Sequence, residues 1–338
     1  MEKRHYGAID GLRTISAFGI VMMHIRSNSD YEIMGYVYNV IIPSFTNFVF
    51  LFMVISAFVM CCGYYDKVLE NQVNFTEFYG KRFRKILPFF GVLVMLDIII
   101  SPSVASLYEG FANLTLMFGF LQKPISVIGV GWFLGLVFVF YLLFPFFCVL
   151  IENKRRAWLA FAVSLLYNYV CENYFGVGRT NILYSACFFL AGGLIFLYRE
   201  VIEKFAPKIV FGIVGFLVIL YYYIGGEAMM CLLISSTLLV YAIIRNGEIF
   251  ENKFTKFISN ISLEIYLAHM VIFRVVEKLG LNRVLGNGWL QYIFTVIVVI
   301  IGTVFFSVLI KKIIDFVENN IFKKYTFKKN RIEERRNV

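Results

Sequence analysis

Apolar residues along this chain gather into runs close to the roughly 20 positions that a helix needs to cross the hydrocarbon core of a bilayer. The runs predict ten membrane spans, at 9–26, 41–63, 84–101, 127–151, 157–173, 182–200, 208–224, 228–244, 258–277 and 289–316. The fifth, seventh and eighth are short for a span, at about 17 residues. The stretch 111–121 is apolar but too short to cross, so it is expected at the interface or re-entering. The fold class predicted is all-α: a polytopic bundle of about ten transmembrane helices.

The basic residues test this count. With the N-terminus in the cytoplasm, 26 of the 32 Lys and Arg residues fall on the cytoplasmic side, nine of them from Lys311 onward. The outer loops hold Arg26, Lys123, Arg179, Lys278 and Arg283, and Arg274 sits inside the ninth span. That bias holds loop by loop, as the positive-inside rule requires, and it predicts both termini in the cytoplasm. The location expected is the cytoplasmic (inner) membrane, with many passes.

Composition narrows the function classes. The chain is 60% hydrophobic and only 16% charged, with mean hydropathy +0.76, against about 25% charged in soluble domains. A soluble enzyme, a disordered chain and a nucleic-acid binder are thereby excluded despite the net charge of +10. The six cysteines lie in or beside apolar runs without metal-ligand spacing, so no metal site is predicted. The first run carries Asp10 and Arg13 at its entrance and no small-residue cleavage site, and is read as a retained helix. Residues 1–318 form one membrane domain, followed by a basic tail, 319–338, expected to be disordered or to lie on the inner leaflet.

Ionisable side chains inside spans are functional candidates because burying them in lipid is expensive. Arg13 and His24 are eleven positions apart, about three turns, so they share one face of the first helix, ~16 Å apart along its axis. Such a pair suits one polar shaft, with a cation for phosphates at one end and a titratable base at the other. The plain alternative is Arg13 snorkelling to lipid phosphates and His24 resting at the interface. Lys81, Arg82, Arg84 and Lys85 open the third span, either as a topology anchor or as a site for a polyanion such as a nucleotide phosphate. Pro88 suits the first turn of that helix. In the ninth span Ser262 and His269 share a face, and Glu264 is expected to turn inward toward a basic group from another helix. Arg274 and Glu277, three apart, are expected to pair locally. Asp97 is read as a rim residue.

Five motifs in order resemble the acyltransferase-3 family of integral membrane acyltransferases, over nearly the whole chain. Ile9-Asp10-Gly11-Leu12-Arg13 followed by His24 resembles its first-helix signature. Residues 51–58 (LFMVISAF) are similar to its second-helix stretch, and the basic run ending Ile86-Leu87-Pro88 to its arginine-rich motif. Trp132-Phe133-Leu134 with residues 140–145 (FYLLFP) resembles a later block, and residues 262–269 (SLEIYLAH) its late histidine element. This chain departs from the pattern at Ala57, where glycine is usual, at Lys81 and Lys85, where arginines are common, and at Val137, where many members carry glutamate.

The resemblance implies acyl transfer from an acyl-coenzyme A, usually acetyl, held as cosubstrate rather than as a bound cofactor. The acceptor implied is a hydroxyl on a cell-envelope glycan, a lipid-linked sugar or an exported small molecule. His24 is the expected base or transient acyl carrier, its ordinary pKa near 6.5 suiting proton transfer at neutral pH. Arg13, Lys81, Arg82 and Lys85 are the expected phosphate ligands. Ser56, Trp132 and His269 are expected around the reaction chamber, with Glu264 beside it, and Arg179 facing the acceptor. Membrane lipids are the surrounding partner. Two other readings stand beside the enzyme: a transporter or flippase of a lipid-linked sugar, and a non-catalytic acyl-CoA-binding member.

Overall fold

A computed structural model describes residues 6–100, 102–121, 128–245 and 250–336, with side chains described through residue 320. Lys3, Arg4 and Lys123 lie outside the described residues, as do residue 101 of the third expected span and residue 127 of the fourth. Of the described residues 83% are helical, and no strand occurs among them.

Each expected span corresponds to a helix. They are α1 (Ala8–Ser27), α2 (Phe48–Leu69), α3 (Phe75–Ile100), then α5 (Trp132–Glu152), α6 (Lys154–Asn173) and α7 (Ile182–Leu197). After these come α8 (Pro207–Ile224), α9 (Ala228–Ile244), the pair α10 (Lys253–Asn260) and α11 (Ser262–Lys278), and α12 (Trp289–Arg336). Among the described residues five helices are long and apolar enough to cross a membrane by themselves, six if the bent α10–α11 pair counts as one. Helices α7 and α9 are apolar but shorter. The molecule is a multi-pass membrane bundle.

Four details differ from the sequence reading. The second span opens with a π-helical turn, Val37–Ile41, and a 3₁₀ turn, Phe45–Asn47, before α2 becomes regular. Helix α3 begins at Phe75, so its basic residues lie within the helix and Pro88 sits in its interior rather than its first turn. A proline there deletes one backbone hydrogen bond, a loss that neighbouring helices can compensate inside a bundle. The ninth span breaks at Ile261 with a 70° bend, so Ser259 and Asn260 meet Glu264 around a corner rather than along one helix. The backbone of α12 continues as helix through Arg336, beyond the span end expected at 316.

Residues 104–121 do enter the bundle. The short helix α4 (Val104–Leu114) starts with a Ser103–Ser106 capping box, and the 3₁₀ turn Met117–Phe120 follows it. That turn packs on the start of α5: a Cβ added to Gly119 would stand 2.5 Å from the Gly135 carbonyl oxygen. A second tight seam joins α2 and α7, where a Cβ on Gly192 would meet the Val54 carbonyl oxygen at 2.2 Å and Ala57 Cβ at 2.9 Å. Small residues replace hydrophobic driving force as the means of bringing membrane helices together. Ala57 in place of the expected glycine is thus a packing variation at this seam.

Helix α1 lies at the centre and packs against α2, α9, α10, α11 and α12. Its buried face runs through Leu12, Ser16, Ala17, Ile20 and Met23. By contrast α8 buries only Val210, which leaves its apolar flank for lipid. The central position of α1 puts its polar residues where several helices converge.

Candidate active site

A cavity of about 80 Å³ opens beside Arg13 on α1. Its polar lining includes Arg13, Ser56, Lys85, Tyr141, Ser262 and Glu264, and its apolar lining includes Phe52, Phe133 and Val137. Arg13, Ser56, Lys85 and Glu264 were all legible as candidates in sequence, and four different helices bring them to one space. Val137 forms part of the wall, so the place where many relatives carry a carboxylate is apolar here.

The mouth of this cavity is rich in cations. Lys85 lies within electrostatic reach of Arg13, Arg82, Lys311 and Glu264. The Lys311 ammonium, on α12, donates to Glu264 Oε1 and to the Asn260 carbonyl, both at 3.3 Å. The side chain of Glu264 is only 7% exposed, so this ion pair offsets the cost of burying the carboxylate. Arg82 is caged by aromatic rings, with its guanidinium carbon 4.8 Å from the Tyr64 ring centre, 5.2 Å from Phe78 and 5.3 Å from Tyr141. Guanidinium stacks well on aromatic faces. Because Tyr141 also lines the cavity, Arg82 sits directly behind its wall. Lys81 does not reach the cavity. It points to the surface and pairs with Glu77 one turn earlier.

The N-terminal end of α1 is tied to the bent pair. Ser259 Oγ donates to Asp10 Oδ1 at 2.6 Å, and Thr14 Oγ1 donates to the Thr255 carbonyl at 3.2 Å. These bonds fix the first turns of α1, and with them Arg13, against the corner at Ile261.

Deeper in the bundle two imidazoles meet. His24 Nδ1 is 3.2 Å from His269 Nε2, and the ring centres are 4.9 Å apart. The tautomers follow from backbone carbonyls, which only accept hydrogen bonds. His269 Nδ1 faces the Ile265 carbonyl at 3.3 Å and so carries a proton, leaving Nε2 with its lone pair. His24 Nδ1 faces the Ile20 carbonyl at 3.0 Å as well as that lone pair, so it too is protonated. The lone pair of His24 therefore resides on Nε2. His269 is fully buried, whereas His24 is partly accessible.

Tyr266 links the two regions. It lines the cavity, its ring is 6.2 Å from that of His269, and its hydroxyl donates to the Val130 carbonyl at 2.7 Å. Arg179 lies within electrostatic reach of both His24 and Tyr266. Its guanidinium stacks over Trp132 at 5.3 Å and donates to Thr46 Oγ1 at 2.8 Å. Trp132 and Arg179 thus belong to the imidazole end, and Arg13, Lys85, Arg82 and Glu264 to the basic end.

Sequence reasoning placed Lys311 among the anchoring charges of the tail, since a lysine after a long apolar run carries no sign of an inward partner. Tyr141 and Tyr266 were lost among the chain's 21 tyrosines. No group of three or more potential metal ligands occurs among the described residues. A family model described as an acyltransferase domain matches residues 6–311, from two residues before α1 to Lys311 itself. The chain belongs to the acyltransferase-3 family. Searches among curated proteins and among solved structures gave no match. Membership of the family makes an acyltransferase role the general assignment, and the five motifs read in sequence all lie within the matched region.

Proposed function

We propose that this acyltransferase takes an acyl group, most simply acetyl, from acyl-CoA at its basic, cytoplasmic end and passes it to a hydroxyl at the opposite face. The observation that carries the reading is the His24–His269 contact, set deeper along the same helix whose first turns present Arg13 to a cationic cavity. The pantetheine arm of the donor is long enough to bridge a gap of ~16 Å, eleven residues at 1.5 Å each. The adenine nucleotide phosphates would then meet Arg13 and Lys85, with Arg82 and Lys311 adding positive charge behind them.

His24 Nε2 removes the proton from the acceptor hydroxyl as its oxygen attacks the thioester carbonyl. The tetrahedral intermediate collapses with cleavage of the carbon–sulfur bond. The thiolate of CoA takes the proton back from His24, leaving an ester, free CoA and a neutral imidazole. His269 acts through His24: its Nε2 lone pair accepts a hydrogen bond from His24 Nδ1–H and stabilises the imidazolium formed in between. Arg179 supplies positive charge near the developing oxyanion. Ser56 and Trp132 shape the chamber. The acceptor class in this reading is a carbohydrate hydroxyl of the cell envelope, a lipid-linked sugar or an exported small molecule.

The test is transfer from radiolabelled acetyl-CoA in membranes carrying wild-type protein or His24→Ala at equal abundance. Loss of label incorporation is the expected result. Undiminished incorporation removes His24 from the chemistry, and a trapped acyl-imidazole would replace direct transfer by a two-step route.

A further inference from the structure

A second cavity, of about 220 Å³, lies at the end of the bundle away from the Arg13 cluster. Both helices that carry an imidazole lead into it. Asn28 directly follows α1, one turn beyond His24, and Glu277 is the penultimate residue of α11, about two turns beyond His269. Asn28 Nδ2 donates to the His24 carbonyl oxygen at 2.8 Å, so the cavity lining is bonded to the turn of α1 that carries the base.

The lining is polar throughout. Ser29 and Asp30 continue it from α1, Asn282 and Arg283 from the turn after α11, and Tyr31 is its aromatic member. Tyr31 is held rigidly, its hydroxyl bonded to the Asn282 carbonyl at 3.1 Å and to Thr295 Oγ1 at 2.9 Å. Ser29 Oγ is shielded from solvent and has no hydrogen-bond partner.

We propose that this cavity binds the sugar of the acceptor, as a neutral or amine-bearing polyol, and that it discriminates against acidic sugars. This rests on the acyl-transfer reading given above. Carboxylates only accept, so Asp30 and Glu277 need hydrogens from the ligand, which hydroxyls and ammonium groups provide. Glu277 spends part of its accepting capacity on Arg274, whose Nη1 is 3.5 Å from Oε2. Asn28, Ser29 and Asn282 can each donate and accept, as matching the hydroxyls of a sugar ring requires. An acidic sugar would bring its carboxylate against two others, with the single guanidinium of Arg283 in the lining to receive it.

Saturation-transfer NMR on the protein in nanodiscs tests this, using methyl β-glucoside, methyl β-glucosaminide and methyl β-glucuronide as probes. The first two are expected to show transfer from the wild-type protein and the third none. Asp30→Asn with Glu277→Gln is expected to cut the signal at least fivefold. If Glu277→Gln does not accumulate, the exposed Asp30→Asn alone is expected to give a measurable reduction. No transfer from any probe, equal transfer in wild type and variants, or a preference for the glucuronide overturns the proposal. Thiol release from acetyl-CoA is measured on the same samples. Sugar binding that fails while donor turnover continues removes this site alone, whereas sugar binding without donor turnover removes the acyl-transfer reading alone.

Discussion

His24 Nδ1 and His269 Nε2 lie 3.2 Å apart although 245 residues separate them in the chain. The first belongs to the central helix and the second to the helix after a 70° bend. Each imidazole is oriented by a carbonyl four residues back on its own helix. The orientation is therefore a property of local helical geometry, and the contact is a property of how two helices pack.

Replacing His24 by alanine is expected to lower kcat/KM by roughly 10²–10⁴-fold, the usual contribution of a positioned general base. In the wild type, kcat/KM is expected to fall tenfold per pH unit once the medium is acid enough to protonate His24, because only the neutral ring accepts a proton. A rate that is flat across the acid range, measured as CoA release, would contradict the assignment.

His269→Gln is expected to reduce kcat at least tenfold while leaving KM for acyl-CoA within twofold. The side chain touches His24 and does not line the donor cavity, so its effect should be confined to the chemical step. Its pH–rate profile should also shift relative to wild type, which a purely structural loss would not produce.

Donor binding should discriminate among the basic residues. Arg13→Ala and Lys85→Ala are each expected to raise KM for acyl-CoA about tenfold, the scale of one charge-assisted hydrogen bond. Lys81→Ala should change it less than twofold, because Lys81 is surface-exposed and paired with Glu77. A larger effect at Lys81 than at Lys85 would place the phosphates outside the cavity.

Lys311→Met leaves the buried Glu264 carboxylate without its partner. A fully buried pair broken this way loses about 3–5 kcal/mol. Lys311 is 41% exposed, so the expected loss is smaller, about 1–2 kcal/mol after solvent screening. Glu264→Gln combined with Lys311→Met should recover most of it. Thermal unfolding of the four proteins in one detergent measures the cycle.

Gly192→Ala is expected to destabilise the bundle by about 1–3 kcal/mol, since the new methyl collides with backbone and neither helix can yield locally. Gly212→Ala, inside the lipid-facing helix with nothing within 4 Å, should not destabilise and can gain up to about 1 kcal/mol from alanine's better helix propensity. Comparing the folded fractions on size-exclusion chromatography checks both.

The length of the apolar runs and the placement of basic loops determined the all-α multi-pass fold, because crossing a bilayer demands about 20 apolar residues whatever the neighbours are. Helical periodicity likewise determined that Arg13 and His24 share a face and that Arg274 pairs with Glu277, since both relations are local. Tertiary structure alone decided that His269 would face His24, that Lys311 would reach back to Glu264, that Arg82 would enter an aromatic cage and Lys81 would not, and that the ninth span would bend at Ile261. Lipid-facing and helix-facing positions are both apolar, so the sequence of a membrane helix carries little record of which helix lies beside it. That choice is made by close approach at small residues such as Gly192 and by the few buried polar groups, whose partners become known only once the helices are packed.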